Sequence, residues 1–188
     1  MAVLLIVFAG ITVRAQGGDP MPTANEIIRK LDLKPLDGEG GFYRETYRSD
    51  INISAREAGV CSDGLRRVST AIYFLVTPES FSALHRVKSD EIFHFYSGDP
   101  VDMVQIDSNG KLATYTLGPD VLNGQTPQIL VPRGNWQALK LHSGGSWCLM
   151  GTTVAPGFEF SDFELGDRNE MLKLFPHLTT TITDFTAQ

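Results

Sequence analysis

Cysteine is nearly absent from this chain: of 188 residues only Cys61 and Cys148 are thiols. They form no Cys-x-x-Cys pair, so a cysteine zinc cluster is excluded. Cys61 lies in a polar segment and Cys148 in an apolar one. A disulfide between them stays open if the chain is secreted, and a buried free thiol at Cys148 is the favoured reading. Positive charge is also in short supply, with 16 Lys and Arg against 22 Asp and Glu and a net charge of -6. That balance argues against nucleic acid and anionic membrane as partners, because both reward a basic surface. No phosphate loop, dinucleotide fingerprint, internal repeat or second domain is visible.

Long apolar runs are missing too. Ala2 to Val13 is almost unbroken apolar sequence, but a bilayer needs about twenty such residues. The run has the length of a secretory signal core, and Val13-Arg14-Ala15 offers a small-residue cleavage site before Gln16. No Lys or Arg precedes it. Residues 1–20 therefore read as a signal peptide or leader, with an apolar strand or a mis-assigned start as the alternative. A signal would make the protein secreted; without one it is cytoplasmic. Asn52-Ile53-Ser54 is a glycosylation acceptor triplet of a kind that often arises by chance. Residues 21–178 fit one domain, and 179–188 read as a tail.

What is present is a succession of short β-forming stretches. Thr23 followed by Glu26 reads as a capping box for a helix to Leu31. Phe42 to Ser49 alternates, with Tyr43, Glu45 and Tyr47 expected on one face. Residues 50–65 read as loop. Strands are expected from Arg66 to Val76, Ser80 to Val87, Glu91 to Tyr96, Val101 to Ile106, Lys111 to Leu117, Gln128 to Val131, Trp136 to His142 and Trp147 to Val154. Asn109-Gly110 supplies a hairpin turn. About nine short strands separated by turn residues argue an all-β sandwich or barrel. Phe163 to Phe175 reads as a helix stopped by Pro176.

The chemistry concentrates in His85 to Gly98. His85 and Glu91 stand six residues apart across a polar turn, ahead of an apolar, aromatic strand that stops at Gly98. Strand parity puts His85 and Val87 on one face, and the turn brings Glu91 round to the same interior. Phe93 and Phe95 share Glu91's face and would line an apolar floor; His94 points away. Pro132-Arg133-Gly134-Asn135-Trp136-Gln137 sets a tight turn before another strand. Gln137 would then join His85 and Glu91, its amide suited to a hydroxyl or carbonyl. Ser69 is a polar lining candidate, with nothing beside it to activate a nucleophile.

These residues resemble a known family. His85 to Gly98 is similar to the first cupin motif and Pro132 to Gln137 to the second. The segments Gly41–Ser49, Ser69–Leu75 and Ala155–Gly166 narrow the resemblance to the cupin subgroup once called domain of unknown function 985. The likeness spans roughly residues 21–178. It implies a double-stranded β-helix jelly roll of the RmlC-like type with short N- and C-terminal helices, a homodimer, and a ligand cavity inside the barrel.

Two of the four metal-ligand positions of that pattern are changed: the second histidine of the first motif falls on Val87, and the histidine of the second motif on Gln137. A divalent metal would have only His85, Glu91 and the weak donor Gln137. The resemblance also implies that a histidine–carboxylate pair can move a proton beside a sugar carbonyl, with a tyrosine as acid. His85 and Glu91 would be that pair, and Tyr73 or Tyr47 the tyrosine. Three functions stay open. The first is binding of a small polar or sugar-like molecule, with Gln137, Ser69, Tyr47, Phe93 and Phe95 contacting it. The second is carbohydrate epimerase or isomerase activity, and the third a storage-like protein without chemistry.

Overall fold

The computed structural model describes residues 21–60 and 63–186. The apolar leader and Cys61 lie outside the described residues. Helix α1 (Ala24–Leu31) opens the described chain, and its capping box is formed: Thr23 Oγ1 accepts from the Glu26 amide while the Glu26 carboxylate accepts from the Thr23 amide. The strands β1 (Lys34–Pro35), β2 (Phe42–Arg48), β3 (Asn52–Ser54), β4 (Leu65–Arg67), β5 (Thr70–Val76), β6 (Ser82–Val87) and β7 (Asp90–Gly98) follow. The second half contributes β8 (Val101–Ile106), β9 (Leu112–Leu117), β10 (Gln128–Val131), β11 (Trp136–Leu141), β12 (Cys148–Ala155) and β13 (Phe163–Leu165). Helices α2 (Arg168–Leu174) and α3 (Thr179–Phe185) close the chain.

Two antiparallel sheets face each other in a jelly-roll arrangement. One has the order β1-β2-β5-β12-β7-β10, the other β13-β6-β11-β8-β9; β3 and β4 form a separate hairpin. That hairpin occupies part of the stretch expected to be loop. The inner face of the six-stranded sheet is read directly from its register. Tyr43, Phe74, Met150 and Phe95 stand side by side on one rung, and Glu45, Ile72, Thr152 and Phe93 on the next. Arg48, Thr70, Val154 and Glu91 form the third. Directly opposed residues project to the same face, so each rung is one line of the interior.

One end of the interior is filled. Phe74, Val76, Met103, Leu117, Ile129, Leu139, Cys148 and Met150 are buried there, with Phe95 packed against them. Cys148 is a free thiol, and burial pushes it up to about 12, with Asp99 adding to the rise. It stays neutral and behaves as a small apolar group. A glycine is required where β7 ends: Gly98 has φ +96°, and a Cβ there would lie 2.4 Å from the Trp147 carbonyl oxygen.

The helices cover the outer face of the five-stranded sheet. Met171, Phe175, Leu178, Ile182 and Phe185 pack on Leu84, Val104, Ile106, Trp136 and Ala138. The expected helix from Phe163 is thus corrected. Residues 163–165 form a strand on the free edge of β6, and α2 starts only after Asp167, whose side chain accepts from the Glu170 amide. An unpaired strand edge offers backbone bonds that local helix propensity cannot match over three residues. The expected tail is corrected as well, because α3 is anchored by the fully buried Ile182.

Candidate functional site

The other end of the interior is hollow. A cavity of about 340 Å³ opens between the sheets. Its apolar wall includes Tyr43, Ile72, Phe74, Val87, Phe93, Val154, Phe158 and Phe163; its polar groups include Asp37, Glu39, Glu45, Arg48, His85 and Glu91.

His85 is 3% exposed and comes from an irregular part of β6, where the register against β11 slips between Gln137 and Leu139. Its Nδ1 lies 2.8 Å from the Ala83 carbonyl oxygen. A carbonyl only accepts, so Nδ1 carries the proton and Nε2 presents its lone pair in the neutral ring. The ring stacks on Phe163 at 5.3 Å between centroids and 27° between planes, and this contact fixes its plane. Glu91 is 7% exposed, on the first inward rung of β7. Its partner is Gln137, whose Nε2 donates to Glu91 Oε2 across 2.6 Å. Gln137 itself is 1% exposed and lies opposite His85 in the β6–β11 register. Its Oε1 is buried without a hydrogen-bond partner.

His85 and Glu91 line the cavity as expected, whereas Gln137 is corrected: it stands off the cavity wall and bonds to Glu91. The expected His85–Glu91 pair is corrected as well. No hydrogen bond or ion pair joins His85 to Glu91 among the described residues. The carboxylate nearest the imidazole is Glu39, whose Oε1 lies 3.8 Å from Nδ1 and accepts from Ser82 Oγ at 2.6 Å. Burial pushes the Glu39 carboxyl above its ordinary range; His85 and the Ser82 bond oppose the shift and Glu91 adds to it. Glu39 escaped the sequence reading because it sits in a loop before the first long strand. Its only signal is its setting, Gly38-Glu39-Gly40-Gly41. Gly40 has φ +99°, and a Cβ there would lie 2.2 Å from the Phe81 carbonyl oxygen, so only glycine lets the loop press inward at this point. The loop is tied down by the Ala83 amide donating to the Glu39 carbonyl and the Gly41 amide donating to Ser80 Oγ.

Phe93 lines the cavity as expected. Phe95 lies one rung further in, within the packed core rather than on the cavity wall. Tyr73 is corrected: with Ile72 and Phe74 facing inward, it projects from the outer face. There its ring meets Tyr96 edge-on at 6.1 Å, with the Arg44 guanidinium 5.4 Å above it. Tyr47 is corrected too, and is 53% exposed. The register of β2 slips between Glu45 and Tyr47, which puts Arg48 where simple alternation would have put Tyr47. Ser69 is not part of the wall; its hydroxyl donates to the Val154 carbonyl, and the neighbouring Thr70 lines the cavity instead. The tyrosine that does reach the cavity is Tyr43. At the rim, Arg48 is held by Glu45, by Glu159 at 2.8 Å and by the Phe158 carbonyl.

A resident metal does not fit these residues. Val87 turns a carbon side chain into the cavity, and Gln137 directs its amide N–H at Glu91. Among the described residues no three His, Cys, Asp or Glu side chains are grouped to hold an ion. The expected metal set His85, Glu91 and Gln137 is corrected: Gln137 serves as a donor to Glu91 and leaves only His85 and Glu91 of the three on the cavity wall.

Two facing antiparallel sheets with a side-chain-lined hollow at one end define a jelly-roll barrel of the cupin type. The match of residues 25–166 to the family model "Cupin superfamily (DUF985)" places the chain in that family, and the chain belongs to it. It is 29% identical over 154 residues to the uncharacterized protein YML079W of Saccharomyces cerevisiae, covering 76% of this chain and 77% of that one. Two solved structures are similar. A hypothetical protein from Leishmania major is 30% identical with a TM-score of 0.81, covering 89% of this chain and all of the other. Protein SO0799 from Shewanella oneidensis is 33% identical with a TM-score of 0.78, covering 89% and 99%.

Proposed function

We propose that this cupin binds a small organic molecule with a polar head and an apolar or ring-like body inside its barrel. The observation that carries the reading is the cavity of about 340 Å³ with aromatic walls and His85, Glu39 and Glu91 gathered in it. A volume of this size suits a monosaccharide or a comparable small molecule. Carbon faces of a sugar-like ring would lie on Phe93, Phe158 and Phe163, and its polar groups would meet the imidazole and the carboxylates. Ligand-observed NMR with small-molecule mixtures tests this. Binding should be lost or at least tenfold weaker in a His85→Ala variant that keeps its melting temperature. Equal binding by both proteins would overturn the reading.

A second reading, an isomerase or epimerase acting on a carbohydrate, is favoured by the state of His85. With Nδ1 committed to the Ala83 carbonyl, Nε2 is the nitrogen that carries the lone pair in the neutral ring, as a general base requires, and Glu39 lies near the opposite nitrogen. In this reading His85 takes a proton from carbon beside a carbonyl, and Tyr43 replaces Tyr73 as the acid. It predicts turnover that falls by orders of magnitude in His85→Ala. A storage-like role predicts no change in either measurement. The proposed protein partner is a second copy of the chain, on the aromatic outer face carrying Tyr73 and Tyr96; analytical ultracentrifugation tests it.

A further inference from the structure

Charge in the cavity is one-sided. Among the described residues its wall holds four carboxylates, those of Asp37, Glu39, Glu45 and Glu91, against the single guanidinium of Arg48. That guanidinium is already engaged by Glu45 and by Glu159, so it offers little to a guest. The polar groups His85, Glu39 and Glu91 on the wall present acceptors. His85 Nδ1 is committed to the Ala83 carbonyl, so in the neutral ring Nε2 is the acceptor. Gln137, which stands off the cavity wall, donates to Glu91 Oε2 from behind. Glu39 takes one bond from Ser82, and Glu91 takes one from Gln137. A buried carboxylate that is neither ion-paired nor fully hydrogen-bonded is costly, and the raised affinity of Glu39 for its proton has that origin. The walls around these acceptors are aromatic: Tyr43, Phe74, Phe93, Phe158 and Phe163. Ring faces attract a cation through their quadrupole and repel an anion.

Building on the binding role proposed above, we infer that the ligand's polar head is an organic cation, a protonated primary or secondary amine. Its N–H groups would fill the open acceptor positions of Glu39, Glu91 and His85, and its carbon body would lie against the aromatic wall. A carboxylate-headed ligand would bring a further acidic group to a cavity whose one guanidinium is already paired. A neutral polyol could donate the same hydrogen bonds but would leave both carboxylates without a counter-charge.

The test uses the full chain and matched probes of similar shape: benzylamine, benzyl alcohol and benzoate, and glucosamine beside glucose. Binding is followed by calorimetry and by chemical-shift changes mapped onto the cavity. The expected result is that each amine binds at least tenfold more tightly than its neutral partner, with benzoate weakest. Glu39→Gln and Glu91→Gln should each erase most of the amine preference without strengthening benzoate comparably to the amine. Because Glu91→Gln can disturb folding, Glu39→Gln is the deciding variant. Equal or tighter cavity binding of the alcohol, glucose or benzoate would overturn the cation assignment and leave the binding role standing. An amine preference unchanged in Glu39→Gln and in any folded Glu91→Gln protein would overturn it too. Failure of all five probes to perturb cavity signals at millimolar concentration would count against both.

Discussion

Gln137 Nε2 donates to Glu91 Oε2 across 2.6 Å, with both side chains buried between the sheets. This bond joins the two cupin motifs across the barrel interior. It does so at a position where the metal-binding pattern would place a histidine, and it uses the amide as a donor instead of a ligand. Removing it should be costly. Gln137→Ala leaves a carboxylate at 7% exposure without its donor, and the expected loss is about 2–3 kcal/mol of unfolding free energy. Urea denaturation monitored by tryptophan fluorescence reads it, and a loss below 0.5 kcal/mol (about half of a typical hydrogen bond) would contradict the role given to this bond.

Glu39 makes stability depend on pH in a definite direction. The groups facing its carboxyl are His85, Ser82 and Glu91, and the folded-state value is raised above the ordinary 4.5. A raised value means the folded chain holds that proton more tightly than the unfolded chain. The resulting stability is complete below the unfolded value and is lost as pH rises through the folded one. Glu39→Gln removes the ionisable group, so its melting temperature should exceed that of the wild type at neutral pH. The difference should shrink toward zero as pH falls below about 4.5. Differential scanning calorimetry at several pH values checks this, and a gap that widens on acidification would contradict it.

Arg66 and Asp162 form a buried, two-pronged ion pair, with Nε and Nη2 at 2.7 and 2.9 Å from the two carboxylate oxygens. It ties β4 to the segment that leads into β13. Arg66→Met strands a carboxylate whose side chain is 4% exposed. The expected cost is about 3 kcal/mol, at the lower end of the range for broken buried pairs, because Lys88 Nζ lies 3.7 Å from the same carboxylate. The double variant with Asp162→Leu should recover much of the loss in the same unfolding assay.

Ile182 tests whether the C-terminal helix belongs to the domain. It is fully buried between α3 and the outer face of the five-stranded sheet. Ile182→Ala should cost about 3 kcal/mol, as expected for a large-to-small change in a packed core. A chain ending at residue 178 should lose cooperative thermal unfolding; full cooperativity in that truncation would show the helix to be dispensable.

Much of the site could be read from local pattern. His85, Glu91 and Phe93 fall on inward positions because side chains two apart share a face, His85 with Val87 and Glu91 with Phe93. The same rule failed at Tyr47, because one extra residue in β2 reverses parity downstream, and no residue in Phe42–Arg48 announces the slip. At Tyr73 the rule holds and overrules the chemistry of the hydroxyl: lying between the inward-facing Ile72 and Phe74, Tyr73 points outward.

What the sequence determined by itself was the longer strands, the cupin motifs and the loss of two metal-ligand positions at Val87 and Gln137, since each depends only on residue type and short-range order. Tertiary structure decided which groups meet. Glu39 stands beside His85 although 46 residues separate them in the chain, and Glu91 turns to Gln137 instead. Those pairings depend on how a glycine-rich loop docks against a distant strand and on how two strands slip in register. Both are settled by packing across the barrel, where no neighbour in sequence has a part.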